Sequence, residues 1–350
     1  MPRWAGPPPL LIAATVLGLL IAPAVSHADA GDSDPSRPAA AATLAVAEPA
    51  APPVATPAAT PTASPSIDGT PAPEPVEAPA AKKAPEIASR TIGVATFNQY
   101  VDLTTAEATA DALALTARDT VSIVGWQEGF SAGPVYQRLV QEGWATKRYV
   151  ATKGARELAV SWRKDEFALV GSALHKLADG VAEGSGLYPF GTRYALRVTL
   201  RDRASGEKIS VINTHLPQRV ENLDDPGTWN TNKNAIRASR QLDGLAGIWA
   251  SAPGRWVVGT GDYNIAALAD QRARNAGGIV SAYAGIARSS YSVLGFAGLL
   301  ATHPTSKRFI DYVHVAAPAL REGRIELLRQ RTPRGLTSDH RPLLVRMRLS

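Results

Sequence analysis

The chain contains no cysteine among its 350 residues. This absence excludes disulfide bonds, zinc-thiolate sites and catalysis by a thiol nucleophile. A chain without disulfides has to be held together by its hydrophobic core alone. The stretch from residue 89 to residue 350 is long enough to bury a core of sufficient size.

Long apolar runs are also scarce, and the clearest one, Leu10–Ala22, lies near the start of the chain. Arg3 precedes this run, and two sites with small residues, Ser26-His27-Ala28 and Ala28-Asp29-Ala30, follow it. The arrangement predicts a secretory signal peptide over residues 1–30, and so an exported protein with no membrane span after cleavage. The alternative is an uncleaved membrane anchor, although the run is shorter than the ~20 apolar residues that a spanning helix needs.

Residues 31–88 lack the aromatic residues that could seed a core, and they consist mainly of Ala, Pro, Thr and Ser. Such a composition predicts a disordered, partly extended linker. Residues 89–350 regain Trp, Tyr and β-branched runs, and their length suits one large domain. This domain carries 33 Lys and Arg against 23 Asp and Glu, which favours a polyanionic or phosphate-bearing partner.

Short apolar segments of the domain, several of them alternating with polar residues, are strand candidates. They are Thr91–Phe97, Val121–Trp126, Leu158–Trp162, Phe167–Gly171, Tyr194–Leu200, Ile209–Asn213, Trp256–Gly259, Phe309–Val315 and Leu343–Leu349. Helical spacing occurs between them, at Thr105–Ala117, Pro134–Glu142 and roughly Asn230–Trp249. Strands of mostly antiparallel pattern with a few helices inserted between them predict an α+β layered sandwich.

Polar side chains recur at, or just past, the ends of these strand candidates, where a rigid scaffold holds them open to a substrate. They are Asn98, Glu128, His215, Asp262, Asn264, Asp311, Asp339 and His340. Each has an ordinary structural interpretation when taken alone, such as a capped turn, a solvated strand end or a satisfied histidine. Asp311 is the exception, because an acid inside an apolar strand is costly to bury without a partner.

Six motifs carry these residues, and together they resemble one family. They are Phe97-Asn98, Gln127-Glu128, Asn213-Thr214-His215-Leu216, Gly261-Asp262-Tyr263-Asn264, Ile310-Asp311-Tyr312 and Ser338-Asp339-His340. In this order they resemble the endonuclease/exonuclease/phosphatase superfamily, which includes DNase I-like nucleases, abasic-site endonucleases, inositol-polyphosphate 5-phosphatases and neutral sphingomyelinases. The resemblance covers about residues 90–348. It implies a four-layer α/β/β/α sandwich of two packed sheets flanked by helices.

The resemblance also implies a metal site. Glu128 would be the main Mg²⁺ ligand, helped by Asn98 and by Asp339 on the other side of the site. All three offer the oxygen donors that a hard cation prefers, so Mn²⁺ or Ca²⁺ could take the same place.

The remaining motif residues are expected to act on the phosphate. Asp262 would orient or deprotonate the attacking water, and Asn264 would hold the phosphate. His215 and His340 would bond its non-bridging oxygens, with Asp311 orienting His340 as a cation. Such a site suits in-line attack of water at phosphorus. A serine-hydrolase triad is a rival interpretation of Ser-Asp-His, but Asp339 adjoins His340 instead of bracing it from a distance.

Among phosphate esters, nucleic acid is the expected substrate, because the domain is basic and the protein is predicted to be exported. Arg193 and Arg308 lie near motif positions and are candidates for contacts with flanking phosphates. The polar stretch Pro217–Trp229 beside His215 is either a wall of the substrate site or only a loop. Phospholipids, inositol phosphates and phosphomonoesters are alternative substrates. A non-catalytic binding protein of the same fold is the third alternative, and we expect a monomer in each case.

Overall fold

Residues 88–180, 191–225, 227–271 and 278–350 are described by a computed structural model of the chain. The predicted signal peptide and all but the last residue of the predicted linker lie outside these described residues. Within them, no helix is long and apolar enough to cross a membrane.

Twelve strands make up the two sheets of the described residues. In chain order they are β1 Arg90–Asn98, β2 Ile123–Gln127, β3 Trp144–Arg148, β4 Ala159–Arg163, β5 Phe167–Ala178, β6 Arg193–Asp202, β7 Lys208–His215, β8 Trp256–Asp262, β9 Ala287–Ser289, β10 Asp311–Ala316, β11 Ile325–Arg331 and β12 Leu343–Leu349. The helices are α1 Thr105–Thr116, α2 Gly133–Gln141, α3 Lys233–Ser251, α4 Ala267–Gln271, α5 Ile279–Ala282, α6 Ser290–Leu294 and α7 Ala317–Arg321, with a 3₁₀ turn at Lys153–Ala155.

The two sheets repeat one strand pattern. The first has the order β11-β12-β1-β2-β4-β3 and the second the order β5-β6-β7-β8-β10-β9. In each sheet the two central strands, β1 with β2 and β7 with β8, are parallel, and all other neighbours are antiparallel. Parallel strands end at the same edge of a sheet. Each sheet therefore presents the carboxyl ends of a central strand pair at one edge.

The sheets pack face to face over a shared apolar core. Residues on the facing sides of both sheets form this core, among them Val94, Val160, Val211, Val258 and Val345. On the outer side of the first sheet, Leu115 of α1 and Leu139 of α2 pack against Phe97 and Trp126. On the outer side of the second sheet, α3 contributes Leu242, Leu245 and Trp249 to the apolar core. The four-layer α/β/β/α sandwich is confirmed.

A buried polar network joins the two sheets where their central strands face each other. Oδ1 of Asn213 accepts hydrogen bonds from Nε2 of Gln127 at 2.7 Å and from the hydroxyl of Thr260 at 3.0 Å. Its Nδ2 donates to the carbonyls of Trp126 at 2.7 Å and Ala159 at 3.0 Å. All four hydrogen-bonding positions of this amide are therefore used, as burial requires.

All nine predicted strands and all three predicted helices are present, with shifts at their ends. The strands that were not predicted are β3 and β11 at the edges of the first sheet and the three-residue β9 at the edge of the second. Edge strands are partly exposed, so β3 has mostly polar residues and β11 carries Glu326, Arg329 and Arg331. The apolar signal on which strand prediction depends is weak in such segments.

Candidate active site

The predicted site residues meet at the sheet edge where the central strands end. Asn98 is the last residue of β1, and Glu128 directly follows β2. His215 ends β7 opposite Asp262, which ends β8, and Asp311 starts β10 opposite Asp262. Because the two sheets are packed together, the strand ends of one sheet face those of the other.

Asn98 bridges two carboxylates. Its Nδ2 donates to Oε1 of Glu128 at 3.0 Å and to Oδ2 of Asp262 at 3.0 Å, while its Oδ1 accepts from the backbone N–H of Tyr100 at 3.0 Å. The amide nitrogen, and not the oxygen, therefore faces the carboxylates. Asn98 holds Glu128 and Asp262 in place, and its role as a direct metal ligand stays a prediction.

His340 is held by a buried carboxylate and directed at a second one. Its Nδ1 lies 2.8 Å from Oδ2 of Asp311, and its Nε2 lies 3.7 Å from Oδ2 of Asp262. Burial lowers the pKa of this imidazole, but the charges of Asp311, Asp262 and Asp339 outweigh burial and raise the pKa to about 10. His340 is therefore a cation at neutral pH.

His215 approaches the same carboxylate from the second sheet. Its Nε2 lies 3.6 Å from Oδ2 of Asp262, and its Nδ1 lies 2.7 Å from Oε2 of Glu157. Burial and the guanidinium of Arg193 lower the pKa of His215, but Glu157 and Asp262 raise it above its ordinary value. Nδ2 of Asn264 lies 3.2 Å from Nε2 of His215, so this amide belongs to the same group of side chains.

Arg193 occupies a different position from the one predicted. Its guanidinium donates to Oε1 of Glu157 at 2.6 Å and lies 3.2 Å from Nδ1 of His215. The side chain is buried behind the histidine and is not among the residues that line the cleft. Arg193 therefore pairs with Glu157 and contacts His215 from the side away from the cleft. Burial raises the pKa of Glu157, but Arg193 and His215 hold it at about 2.

Arg308 does line the cleft, but part of its guanidinium is already engaged. Its Nη2 forms an ion pair with Glu221 and donates to the carbonyl of Asn264 at 2.8 Å. The predicted phosphate contact of Arg308 would have to use its other N–H groups. Gln218 and Arg219 line the cleft and Glu221 pairs with Arg308, so this part of the predicted stretch Pro217–Trp229 borders the cleft.

Two carboxylates of the cleft have oxygens with unused acceptor capacity. Oε2 of Glu128 accepts one hydrogen bond, from the backbone N–H of Val101 at 2.9 Å, and Oδ1 of Asp339 is buried without a partner. The negative charges of both carboxylates also act on the phenol of Tyr100. Its pKa is raised mainly by the hydrogen bond to Asp102 and further by the charges of Asp339 and Glu128. Oxygen donors with free lone pairs are what Mg²⁺, Mn²⁺ or Ca²⁺ requires.

Strained backbone is concentrated around this cleft. Five described residues other than glycine have a left-handed backbone, with φ between 53° and 58°. They are Tyr100, Glu128, Arg219, Asn264 and Lys307. Four of them line the cleft, and the fifth lies between the lining residues Ser306 and Arg308. Strain of this kind costs about 1–3 kcal/mol at each residue and is typical of sites where side-chain direction matters more than stability.

Glu157 and His303 lie at the site but were not among the predicted site residues. Glu157 lies just before β4, which runs antiparallel to β2, so the start of β4 and the end of β2 share one sheet edge. That topology, and not local sequence, brings Glu157 to His215. His303 starts a short hairpin that pairs with Arg308 and lies in the cleft, which has a volume of about 290 Å³.

A serine-hydrolase interpretation has one more feature in its favour, since Gly129-Phe130-Ser131-Ala132-Gly133 matches Gly-x-Ser-x-Gly. Ser131 is exposed in the turn before α2, outside the cleft, and it lines a separate recess with Gln99 and Val101. The hydroxyl of Ser338 donates to the carbonyl of Asn98 at 2.8 Å, a structural bond. Neither serine is placed as a nucleophile beside His215 or His340.

Comparisons with known proteins agree with this architecture. No protein-family model and no curated protein matches the sequence. The structure is similar to D. rerio TDP2 complexed with a single-strand DNA product, with a TM-score of 0.55 and 15% identity over 73% of this chain and 98% of that one. It is also similar to an endonuclease/exonuclease/phosphatase from Bacteroides vulgatus, with a TM-score of 0.52 and 16% identity over 75% and 100% of the two chains. A third similar structure is that of ANGEL2, a 2',3'-cyclic phosphatase, with a TM-score of 0.51 and 16% identity over 75% of this chain and 96% of that one.

The chain therefore has the DNase I-like fold of the endonuclease/exonuclease/phosphatase proteins. The resemblance drawn from the six motifs is confirmed for the fold.

Proposed function

We propose that the chain is an exported, divalent-metal-dependent hydrolase of phosphodiesters that acts as a monomer on nucleic acid, DNA or RNA. One observation carries the proposal. Two imidazoles, each backed by a buried carboxylate, direct their Nε2 atoms at the same oxygen of Asp262, at 3.6 Å from His215 and 3.7 Å from His340.

This arrangement supplies what hydrolysis of a phosphate ester needs. Phosphoryl transfer requires little covalent assistance but strict positioning of water and positive charge near the phosphoryl oxygens. In the proposed reaction, Asp262 holds the attacking water in line with the bond that breaks. His340 and His215 donate hydrogen bonds to the non-bridging oxygens, and Asn264 holds the phosphate between them. The charge that develops on these oxygens meets groups that are already in place.

The proposal includes a hard cation, with Mg²⁺ first and Mn²⁺ or Ca²⁺ as alternatives. Glu128 and Asp339 would hold it, and Asn98 keeps the carboxylate of Glu128 oriented through the bond of 3.0 Å. When bound, such a cation supplies a Lewis acid that neutralises charge on the phosphoryl group. The orphaned Oδ1 of Asp339 supports this assignment, because a buried acceptor without a partner is costly.

Nucleic acid is supported by charge and by fold. The domain has a surplus of basic residues, and Arg219 and Arg308 line the cleft. TDP2, one of the proteins with a similar fold, has been solved with a single-strand DNA product. Export would place the enzyme where free nucleic acid can be degraded.

A substrate panel tests the proposal. The purified protein is incubated with Mg²⁺ and plasmid DNA, RNA, sphingomyelin or inositol phosphates, with EDTA as the metal-free condition. We expect cleavage of a nucleic acid that EDTA abolishes. Cleavage of sphingomyelin or inositol phosphates alone would replace the substrate and keep the reaction class. No hydrolysis of any of these esters would reject the reaction class.

A double variant tests the site itself. Glu128→Gln with His340→Ala removes one proposed ligand and one imidazole, and we expect the activity to be lost. The matched control is Glu326→Gln with His175→Ala, which makes the same chemical changes on β11 and β5, outside the cleft. Equal activity in the two double variants would show that the active site lies elsewhere.

A further inference from the structure

His303 lines the cleft beside His340, and none of the six motifs contains it. It starts the hairpin that backbone hydrogen bonds close between His303 and Arg308, at 3.0 and 3.2 Å. Its ring packs edge-on against the ring of His340, with centroids 4.9 Å apart, and its Nε2 lies 3.7 Å from Oδ2 of Asp339. About a quarter of the side chain is exposed, toward the cleft that it lines.

The hairpin fixes which nitrogen of His303 carries the proton. The backbone N–H of Ser306 donates to Nδ1 at 3.3 Å, and the hydroxyl of Ser306 lies 2.6 Å from the same atom. A backbone N–H can only donate, so Nδ1 is an acceptor and the proton of the neutral ring is on Nε2. The cleft therefore contains an N–H donor on a side chain whose orientation is fixed by its own turn.

This proton position argues against a metal-binding role. His303, Asp339 and His340 bring possible ligand atoms within 4.8 Å of one another, which is close enough for a small cation. A cation on Nε2 would require the proton to move to Nδ1, where it would face the N–H of Ser306. Two donors facing each other are unfavourable, so His303 is better suited to donate a hydrogen bond than to bind a metal.

The contacts also indicate which oxygen it would reach. Asp262, the proposed holder of the water, contacts His340, and His340 in turn contacts His303. In an in-line reaction, phosphorus separates the attacking water from the leaving oxygen. His340 is proposed to bond the phosphoryl oxygens. His303 follows His340 in the series of contacts that starts at Asp262, so it is placed to reach the leaving oxygen.

We propose that Nε2–H of His303 donates a hydrogen bond to the leaving oxygen of the substrate. The inference rests on the proposed phosphodiesterase function and adds a leaving-group contact to it. The proton stays on Nε2 throughout. Hydrolysis as a whole transfers the hydroxyl of water to phosphorus and its hydrogen to the leaving oxygen, so no other reactant is needed.

The test compares two esters that differ in their leaving group. Methyl 4-nitrophenyl phosphate releases a stabilised phenolate, whereas methyl phenyl phosphate releases a much more basic one that depends more on a donor. His303→Phe keeps a ring against His340 but has no N–H, and His303→Gln keeps an N–H donor near the position of Nε2. His175→Phe is the matched control on β5. Circular dichroism and thermal unfolding check that each variant folds.

We expect His303→Phe to lower kcat/KM roughly 10- to 100-fold for the phenyl ester, as loss of one hydrogen bond to a charged oxygen predicts, and at most a few-fold for the nitrophenyl ester. His303→Gln should recover most of the loss. Equal losses on both esters, or no loss, would overturn the assignment while leaving the proposed function intact. A wild-type protein that hydrolyses neither these esters nor the substrate panel would overturn both.

Discussion

Nδ1 of His215 and Oε2 of Glu157 lie 2.7 Å apart, although the two residues are 58 positions apart in the chain. The other oxygen of this carboxylate accepts from Arg193 at 2.6 Å, so one buried carboxylate holds two buried side chains. The group is at the base of the cleft, behind the face of His215 that is directed at Asp262. It therefore couples the stability of the domain to the orientation of a proposed catalytic imidazole.

Glu157→Gln should destabilise the domain and impair its activity together. The substitution removes the charge of the carboxylate to which Arg193 donates at 2.6 Å, and breaking a buried pair in this way costs about 3 kcal/mol. His215 also loses the charge that raises its pKa. We expect urea unfolding at pH 7 to show this loss in the free energy of unfolding, and the phosphodiesterase rate to fall by at least ~10-fold.

The effect of Glu157→Gln on stability should depend on pH. The folded-state pKa of Glu157 is about 2, below the ordinary value of 4.5, so its ionised form stabilises the fold above pH 4.5. This contribution is lost as the pH falls from 4.5 toward 2. The difference in the free energy of unfolding between wild type and variant should therefore be smaller at pH 3 than at pH 7. A difference of constant size over this range would contradict the pairing of Glu157 with Arg193 and His215.

Asp311→Asn should lower the pKa of His340. The carboxylate of Asp311, 2.8 Å from Nδ1, is the largest of the influences that raise this pKa to about 10, and an amide has no charge to replace it. We expect the NMR titration of the His340 ring in the metal-free variant to move toward the ordinary value of 6.5. His340→Gln assigns the signal, and an unchanged titration would show that Asp311 does not set the charge of His340.

The pair formed by Asp311 and His340 also predicts how the free energy of unfolding changes at alkaline pH. Because the folded-state pKa of His340 is raised, its contribution is complete below pH 6.5 and is lost as the pH rises through about 10. The free energy of unfolding of the wild type should therefore fall between pH 6.5 and about pH 10. Asp311→Asn should be less stable at pH 7 and show a smaller loss over the same interval.

Most residues of the candidate site could be predicted from the sequence because they lie at, or next to, an end of an apolar strand. His215 and Asp262 end strands of strong apolar character, and such strands are the most reliable signal in a sequence. The two strands are parallel neighbours in one sheet, so their ends meet without further information. The same signal predicted an α+β layered sandwich, and the resemblance of the six motifs to a known family implied its four layers.

Arg193 and Glu157 show where sequence reasoning failed. The alternation of apolar and polar residues over Tyr194–Leu200 predicts a strand that begins beside Arg193. It does not indicate whether the side chain of Arg193 faces the cleft or the space behind His215. Its partner Glu157 is 36 positions away, and the packing of β4 and of the 3₁₀ turn Lys153–Ala155 against β6 brings the two together. A partner contributed by another strand leaves no mark in the local sequence.

Asn213→Ala should be strongly destabilising, although Asn213 lies beneath the cleft and not in it. Three of its four buried hydrogen bonds, with Gln127, Trp126 and Ala159, join the two sheets, and the fourth accepts from Thr260 on the neighbouring strand. Removal of the amide takes away the acceptor of Thr260, the shorter of the two bonds that Nε2 of Gln127 donates, and a donor to two carbonyls. We expect a loss of about 3–5 kcal/mol in the free energy of unfolding, after partial relaxation. Thr260→Ser keeps its hydroxyl and should cost far less, and similar losses in both variants would show that the network does not carry the effect.

Glu128→Gln should separate metal binding from folding. Glutamine keeps the shape of the side chain and the bond that Oε1 accepts from Asn98, but it removes the negative charge from the proposed cation site. The affinity for Mg²⁺ or Mn²⁺ in isothermal titration calorimetry should fall by ~100-fold or more, because even loss of a residue that only orients a ligand costs 10- to 100-fold.

The stability of metal-free Glu128→Gln should change little, because loss of the bond that Oε2 accepts from the backbone N–H of Val101 is offset by loss of charge repulsion. Glu128 shares Asn98 with Asp262 at 3.0 Å on each side, so neutralising it relieves repulsion between two neighbouring carboxylates. Its backbone has a φ of 57° in either form, so the strain is the same. Glu326→Gln on the exposed edge strand β11 is the control and should change neither quantity. A Glu128→Gln protein that binds the metal as tightly as wild type would move the cation site away from Glu128.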